Sequence, residues 1–274
     1  MTRKIPKYDD YPQIGRLRLD PTLALANSNP LLIARGLIEG IGQVNKFGEN
    51  PDITAGTAED VWDGGGTYAF PTTATITHIR QATDQVATDG GATIELQGLD
   101  ASWNLVVQTA DLDVTDTTTE AVLTTPLIRI FRMKVLANVV LAADVWAGAT
   151  GMAAATSKAI IQTGNNQTLM AIYTVPAGKT AYMTQYFADN VPTASRSPDS
   201  VEFKLWMADR HNGYEFQLKH ERAIPLAGAG FIQTFNPYMK IGQKTDIKIS
   251  AGVVGGVGDD GHPHAGFDLI LVDN

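Results

Sequence analysis

Two histidines stand two positions apart in the run DDGHPHAGFD (residues 259–268). On an extended chain side chains at i and i+2 leave the same face, so His262 and His264 can offer two imidazoles to one divalent metal. Asp260 or its neighbour Asp259 would add a carboxylate. The competing reading is a solvated loop before the last strand. Pro263 and the flanking glycines favour that loop, because ligands need a scaffold that holds them tightly. His262, His264 and Asp260 are the metal candidates, and no cofactor is expected.

The other chemistry-bearing patterns are weaker. DLDVTDTTTE (111–120) alternates carboxylates but lacks the glycine and the ligand spacing of an EF-hand loop, so it reads as a threonine-rich connection. DGGG (63–66) and GVVGGVGDDG (252–261) lack the Lys-Ser/Thr and the strand-to-helix setting of a phosphate loop. No G-x-S-x-G elbow is present, and no carboxylate pair is singled out for glycoside hydrolysis. His78 and His220 fall in strand-like runs, where a hydrogen-bonded structural role is the default. Trp103, Trp206, Tyr214 and Phe216, read onto hairpin strands, suit either a sugar-binding face or a sandwich core, and core is the commoner fate of such rings. No catalytic residue emerges, and an enzyme is not expected.

Composition narrows the field further. The chain has 274 residues, no cysteine, 44% hydrophobic and 18% charged side chains, less charge than soluble domains usually carry. Disulfides, thiolate metal sites and cysteine nucleophiles are excluded. Residues 1–48 carry seven basic and four acidic groups, whereas residues 49–126 carry thirteen carboxylates against the single Arg80. An acidic first half repels phosphate backbones, so nucleic acid is not an expected partner. Residues 1–20 are polar and show no secretory leader, and LLIARGLIEGIG (31–42) is too short and too charged to span a bilayer. A soluble product without membrane contact is expected.

The elements that must position these residues are mostly strands. Pro6, Pro12, Pro21 and Pro30 break the first thirty residues into an extended, basic arm. Pro30 after Ser28-Asn29 marks a helix start, and LLIARGLIEGIGQVNKF (31–47) is expected to give a short helix weakened by Gly36, Gly40 and Gly42. From Thr67 the period becomes two, in TATITHI, ATIELQG, WNLVVQT and LIRIFRMKVL, and again in KTAYMTQYF, VEFKLWM, GYEFQLKH, MKIGQKTDIKISAGVV and GFDLILVD. Asn212-Gly213 between two alternating runs is the strongest hairpin signal.

The two halves align in order. YAFP (68–71) matches YTVP (173–176), TIELQGLD (93–100) matches EFKLWMAD (202–209), TPLIRI (125–130) matches NPYMKI (236–241), and RMKVLANV (132–139) matches DIKISAGV (246–253). The offset only grows along the chain, as it does when loops lengthen in a second copy. The expected fold is all-β: an N-terminal arm and docking segment over 1–60, then two tandem jelly-roll-like β-sandwich modules over 61–150 and 151–274. The stretch GATGMAAATSKA (148–159) reads as their linker. Trp62 stands among Glu59, Asp60 and Asp63, and the expectation is that its ring packs while the acids face water.

The segments VNKFGENPDI (44–53) and EDVWDGGGTYAFP (59–71) resemble a pattern in virion structural proteins of tailed bacteriophages, where an arm and a glycine-rich element precede β-sandwich domains. The resemblance covers about a tenth of the chain and brings no catalytic residues. It implies a particle component, most closely a capsid decoration or cement protein, assembled in the host cytoplasm and resident in the virion. The implied partners are the major capsid protein, other virion proteins and further copies of this chain, as a trimer or dimer. A neck, tail or fibre component with a carbohydrate-binding sandwich is the alternative. The expected docking residues are Leu31, Leu32, Ile33, Leu37, Phe47 and Trp62.

Overall fold

The computed structural model describes residues 30–53, 56–136, 140–191, 199–210, 213–225, 230–255 and 261–274. The arm over 1–29, the metal candidate Asp260 with its neighbour Asp259, and the turn residue Asn212 lie outside the described residues. The all-β expectation matches what the structure has: sixteen strands and two short helices account for the regular elements of the described residues, with one 3-10 turn. No helix among the described residues is long and apolar enough to cross a membrane.

In chain order the strands are β1 (Ile41–Glu49), β2 (Glu59–Asp60), β3 (Ile76–Gln81), β4 (Thr93–Leu99), β5 (Leu105–Asp111), β6 (Ala121–Leu127), β7 (Arg129–Val135), β8 (Val145–Gly148), β9 (Ala159–Ile161), β10 (Ile172–Thr174), β11 (Lys179–Asn190), β12 (Ser200–Asp209), β13 (Phe216–Pro225), β14 (Phe231–Ile241), β15 (Thr245–Val254) and β16 (Pro263–Asp273). They form sheets in the orders β6-β3-β8-β9, β5-β4-β7, β1-β16-β11-β14 and β10-β15-β12-β13, with β2 added to β15. Alternation drives the inner faces. In β12, Val201, Phe203, Leu205 and Met207 are buried while Glu202, Lys204 and Trp206 are half-buried on the other face, the period-two pattern that packs one side of a pleat. One core gathers Ile76, Ile79, Ile94, Leu96, Leu127 and Ile130 from the first two sheets. The other gathers Met183, Tyr186, Phe203, Leu205, Ile247 and Phe267 from the last two.

The two halves repeat one pairing scheme. The order β5-β4-β7 corresponds to β13-β12-β15, and β6-β3-β8 to β14-β11-β16. Of the aligned segments, TIELQGLD and EFKLWMAD fall on β4 and β12, whereas YAFP lies outside any strand and YTVP begins on β10.

Several expectations change. The helix expected within 31–47 covers only Pro30–Ala34. Gly36 and Gly40 adopt positive φ and turn the chain, after which Ile41–Glu49 pairs residue by residue with β16. Nine residues placed in the arm therefore belong to a sheet of the second core, as does the two-residue β2. The expected linker over 148–159 instead turns from β8 back into β9, which pairs with β8 in the first core's sheet. Trp103 is buried in the turn between β4 and β5, with φ at +70°, and not on a strand.

Candidate functional site

The segment that carries the resemblance threads between the two cores. It leaves β1, contributes β2 to the second core's sheet, and then sends Trp62 and Tyr68 into the first core. The acids beside Trp62 do not face water. Glu59, Asp60 and Asp63 are all buried. The reason is a supply of donors from the glycine-rich turn and from elements packed beside it. Gly66 N–H donates to Glu59 Oε2 at 2.7 Å, Tyr68 N–H to Asp60 Oδ2 at 2.7 Å, and Lys248 Nζ to the same oxygen at 2.9 Å. Asn50 Nδ2 donates to Glu59 Oε2 at 3.1 Å and Leu169 N–H donates to Asp63 Oδ2. The Gly66 and Tyr68 amides that a phosphate would need are thus occupied by the chain's own carboxylates, and that of Gly65 by the Trp62 carbonyl. Gly64 lies flat under the Trp62 indole, where a Cβ would come within 2.1 Å of the ring.

Burial sets the protonation of this seam. Removal from water raises the Asp60 carboxyl above its ordinary range, although Lys248 opposes the shift. Asp63 is pushed up to about 8 by burial, so it carries its proton at neutral pH. Lys46, buried on β1 with its ammonium donating to the Phe131 carbonyl, is held well below an ordinary lysine by burial and then by Arg132.

A second polar cluster clamps the halves together. Arg129 on β7 grips Asp246 on β15 with Nε at 2.9 Å and Nη2 at 2.7 Å, and both side chains are almost fully buried. Asp246 also accepts from the hydroxyls of Thr174 and Tyr214. The guanidinium donates to the carbonyls of Pro71 and Ile128 and lies 4.8 Å from the Trp103 ring centre and 5.2 Å from that of Phe70. Burial works against its charge, but the Asp246 bonds hold its pKa above that of a free arginine.

The expected docking residues divide. Leu31, Leu32 and Leu37 are exposed, at 60%, 39% and 44%. Ile33 turns inward onto Ile38, Ile41 and Val272. Phe47 is half-buried on β1, and Trp62 is core. Beside the helix lies an open cleft of about 1130 Å³ that runs along β1 toward the first half, lined in part by Ile33, Gln43, Phe47, Leu105, Arg132 and Tyr238.

The histidine pair is brought together with partners no local pattern announces. His262 and His264 form an edge-on pair with ring centres 4.8 Å apart. Glu49, at the end of β1 and opposite His264 in the ladder, places Oε2 3.3 Å from the Nε2 of each. Asp189 on β11, opposite His264 on its other side, sets Oδ1 3.2 Å from its Nδ1. The close approach of the His264 and His262 imidazoles lowers the Glu49 carboxyl, and the neighbouring Glu49 and Asp189 carboxylates raise His264.

The remaining candidates are engaged structurally. His78 Nδ1 lies 2.7 Å from Thr77 Oγ1, and His220 Nδ1 lies 2.6 Å from the Tyr186 hydroxyl. In 111–120, Asp113 and Asp116 accept from Thr115 and Thr118 and close their own turns. Trp206 donates Nε1 to Ser250 Oγ at 2.8 Å, Tyr214 bonds into the Arg129 clamp, and Trp103 is covered by the Arg129 and Arg210 guanidinium groups.

In comparisons with known proteins, no family model matches this chain and no curated protein matches it.

Proposed function

We propose that this chain is a non-enzymatic structural component of a tailed-bacteriophage virion, a decoration or cement protein that stabilises the head by covering area on the major capsid protein and on copies of itself. The observation that carries the reading is residues 30–40, which hold Leu31, Leu32 and Leu37 in solvent directly after the basic, proline-broken segment 1–29. Apolar side chains grouped at such a place stabilise the protein only when a partner covers them. Supporting it, strands at sheet edges carry exposed aliphatic residues: Leu105 and Val107 on β5, Val122 on β6, Ile232 on β14. Edge strands of this kind are surfaces for pairing between subunits of a symmetric shell.

On this reading the halves are tandem sandwich modules of jelly-roll kind. Within each, the outermost strands pair with one another (β3 with β8, β11 with β16) and the next pair lies in the facing sheet (β4 with β7, β12 with β15), the nesting that a rolled-up hairpin produces. The test is quantitative mass spectrometry of purified particles of the phage that encodes the chain, with co-sedimentation of a form lacking residues 1–29 on particles stripped of the protein. Stoichiometric copies in the particle, and loss of co-sedimentation in the shortened form, are expected. Absence from the particle refutes the proposal.

A further inference from the structure

His264 has a carboxylate oxygen opposite each ring nitrogen: Asp189 Oδ1 at Nδ1 and Glu49 Oε2 at Nε2. A neutral imidazole has one N–H, so it satisfies one of these oxygens and turns a lone pair toward the other. Nε2 is screened from solvent and makes no hydrogen bond, although the Glu49 oxygen is 3.3 Å away. A cation belongs in that gap, either a proton or a metal.

The geometry points to a metal. We propose that Glu49, His262 and His264 bind a divalent transition-metal ion of the zinc class, with Asp189 holding His264 from behind. The three donor atoms lie within 4.8 Å of one another. Zinc bonds nitrogen and oxygen at about 2.0–2.1 Å, so the edges of its tetrahedron are roughly 3.3–3.4 Å long. Two of the three edges here, from Glu49 Oε2 to each Nε2, are already 3.3 Å. Side-chain rotation at His262, which is only half-buried, closes the third. Asp189 at Nδ1 completes the carboxylate–histidine–metal relay that fixes the tautomer and presents Nε2 as ligand. Two imidazoles and one carboxylate select zinc, nickel or cobalt over magnesium or calcium, which take oxygen donors. The fourth position stays open to water.

The ligands come from segments that are remote in sequence, Glu49 from β1, His264 from the start of β16 and His262 from the residue before it, with Asp189 on β11 behind. A bound ion therefore pins the end of β1 to the sheet it borders. The site does not depend on the virion role, and its test is independent of particles.

Untagged full-length protein, dialysed against a chelator, is titrated with zinc chloride by calorimetry, and its melting is followed with and without the metal. One ion per chain and a melting temperature higher by at least about 3 °C at saturation are expected. Cobalt in place of zinc gives the intense visible absorption of a tetrahedral site. Glu49→Gln and His262→Ala abolish one-to-one binding while the apo proteins keep the parent circular dichroism. Asp189→Asn, which touches no metal, weakens affinity about 10–100-fold. No binding, or binding that the Glu49→Gln and His262→Ala variants retain in full, overturns the proposal and leaves a protonated His264 between two carboxylates.

Discussion

Replacing Arg129 by methionine tests whether the buried clamp holds the two halves as one unit. The change removes two charge-assisted bonds to Asp246, at 2.9 and 2.7 Å, and leaves that carboxylate fully buried with only the Thr174 and Tyr214 hydroxyls as side-chain donors. Breaking a buried pair from one side costs about 3–5 kcal/mol, because the surviving charge has lost its compensation. For a chain of this size that corresponds to a melting temperature lower by roughly 10 °C. Replacing both partners, Arg129→Met with Asp246→Leu, removes the stranded charge and should recover most of the loss, leaving a double variant within about 2 kcal/mol of the parent. Urea denaturation at pH 7 followed by tryptophan fluorescence reads all four proteins. It also shows whether the single variant unfolds in two steps, the first half parting from the second. Single variants that each lose under about 1 kcal/mol, or a double variant whose loss is the plain sum of the singles, would refute the reasoning.

Asp63 gives a pH signature. Its folded pKa, about 8, lies above its unfolded value, so its contribution to stability is complete below about pH 4 and is lost as pH rises through 8. Asp63→Asn should therefore gain stability relative to the parent between pH 5 and 8, on the order of 1 kcal/mol per pH unit, and parallel unfolding curves for the two proteins across that range would contradict the assignment. Gly64→Ala forces a methyl into the Trp62 ring and should cost at least about 1–3 kcal/mol, with the near-ultraviolet tryptophan signal changed. Leu31, Leu32 and Leu37 changed together to serine should leave the monomer's melting within about 1 °C of the parent, since each is exposed, while reducing self-association by sedimentation velocity; undiminished association would remove these residues from the interface.

The strand alternation was legible because it is local. Val201, Phe203, Leu205 and Met207 announce β12 by themselves, and the pairing of β12 with β13 follows from the turn signal between them. What sequence could not show was pairing at long range. Asn45 bonds Asp268 across 223 positions, and nothing near NKFGEN marks it as the neighbour of GFDLILV. Glu49 and Asp189 entered the histidine cluster through ladder register alone, whereas Asp260, adjacent in sequence and proposed for that reason, lies outside the described residues. The burial of the acids around Trp62 is not legible locally, because carboxylates are ordinarily solvated and their donors here include Asn50, Lys248 and the Leu169 amide, remote from the glycine turn in sequence or in fold.

The placement of β1 shapes how the polypeptide matures. Its ladder partner, β16, is synthesised after the fifteen other strands of the described residues, so β1 leaves the ribosome long before the strand it pairs with. Until then its alternate backbone groups are a sticky ribbon trailing from an otherwise finished first half. A nascent-chain pause upstream of residue 263 prolongs that exposure, and an early truncation or frameshift there makes it permanent. Aggregation during expression should thus track translation of the last strand more closely than the folding of the body that precedes it.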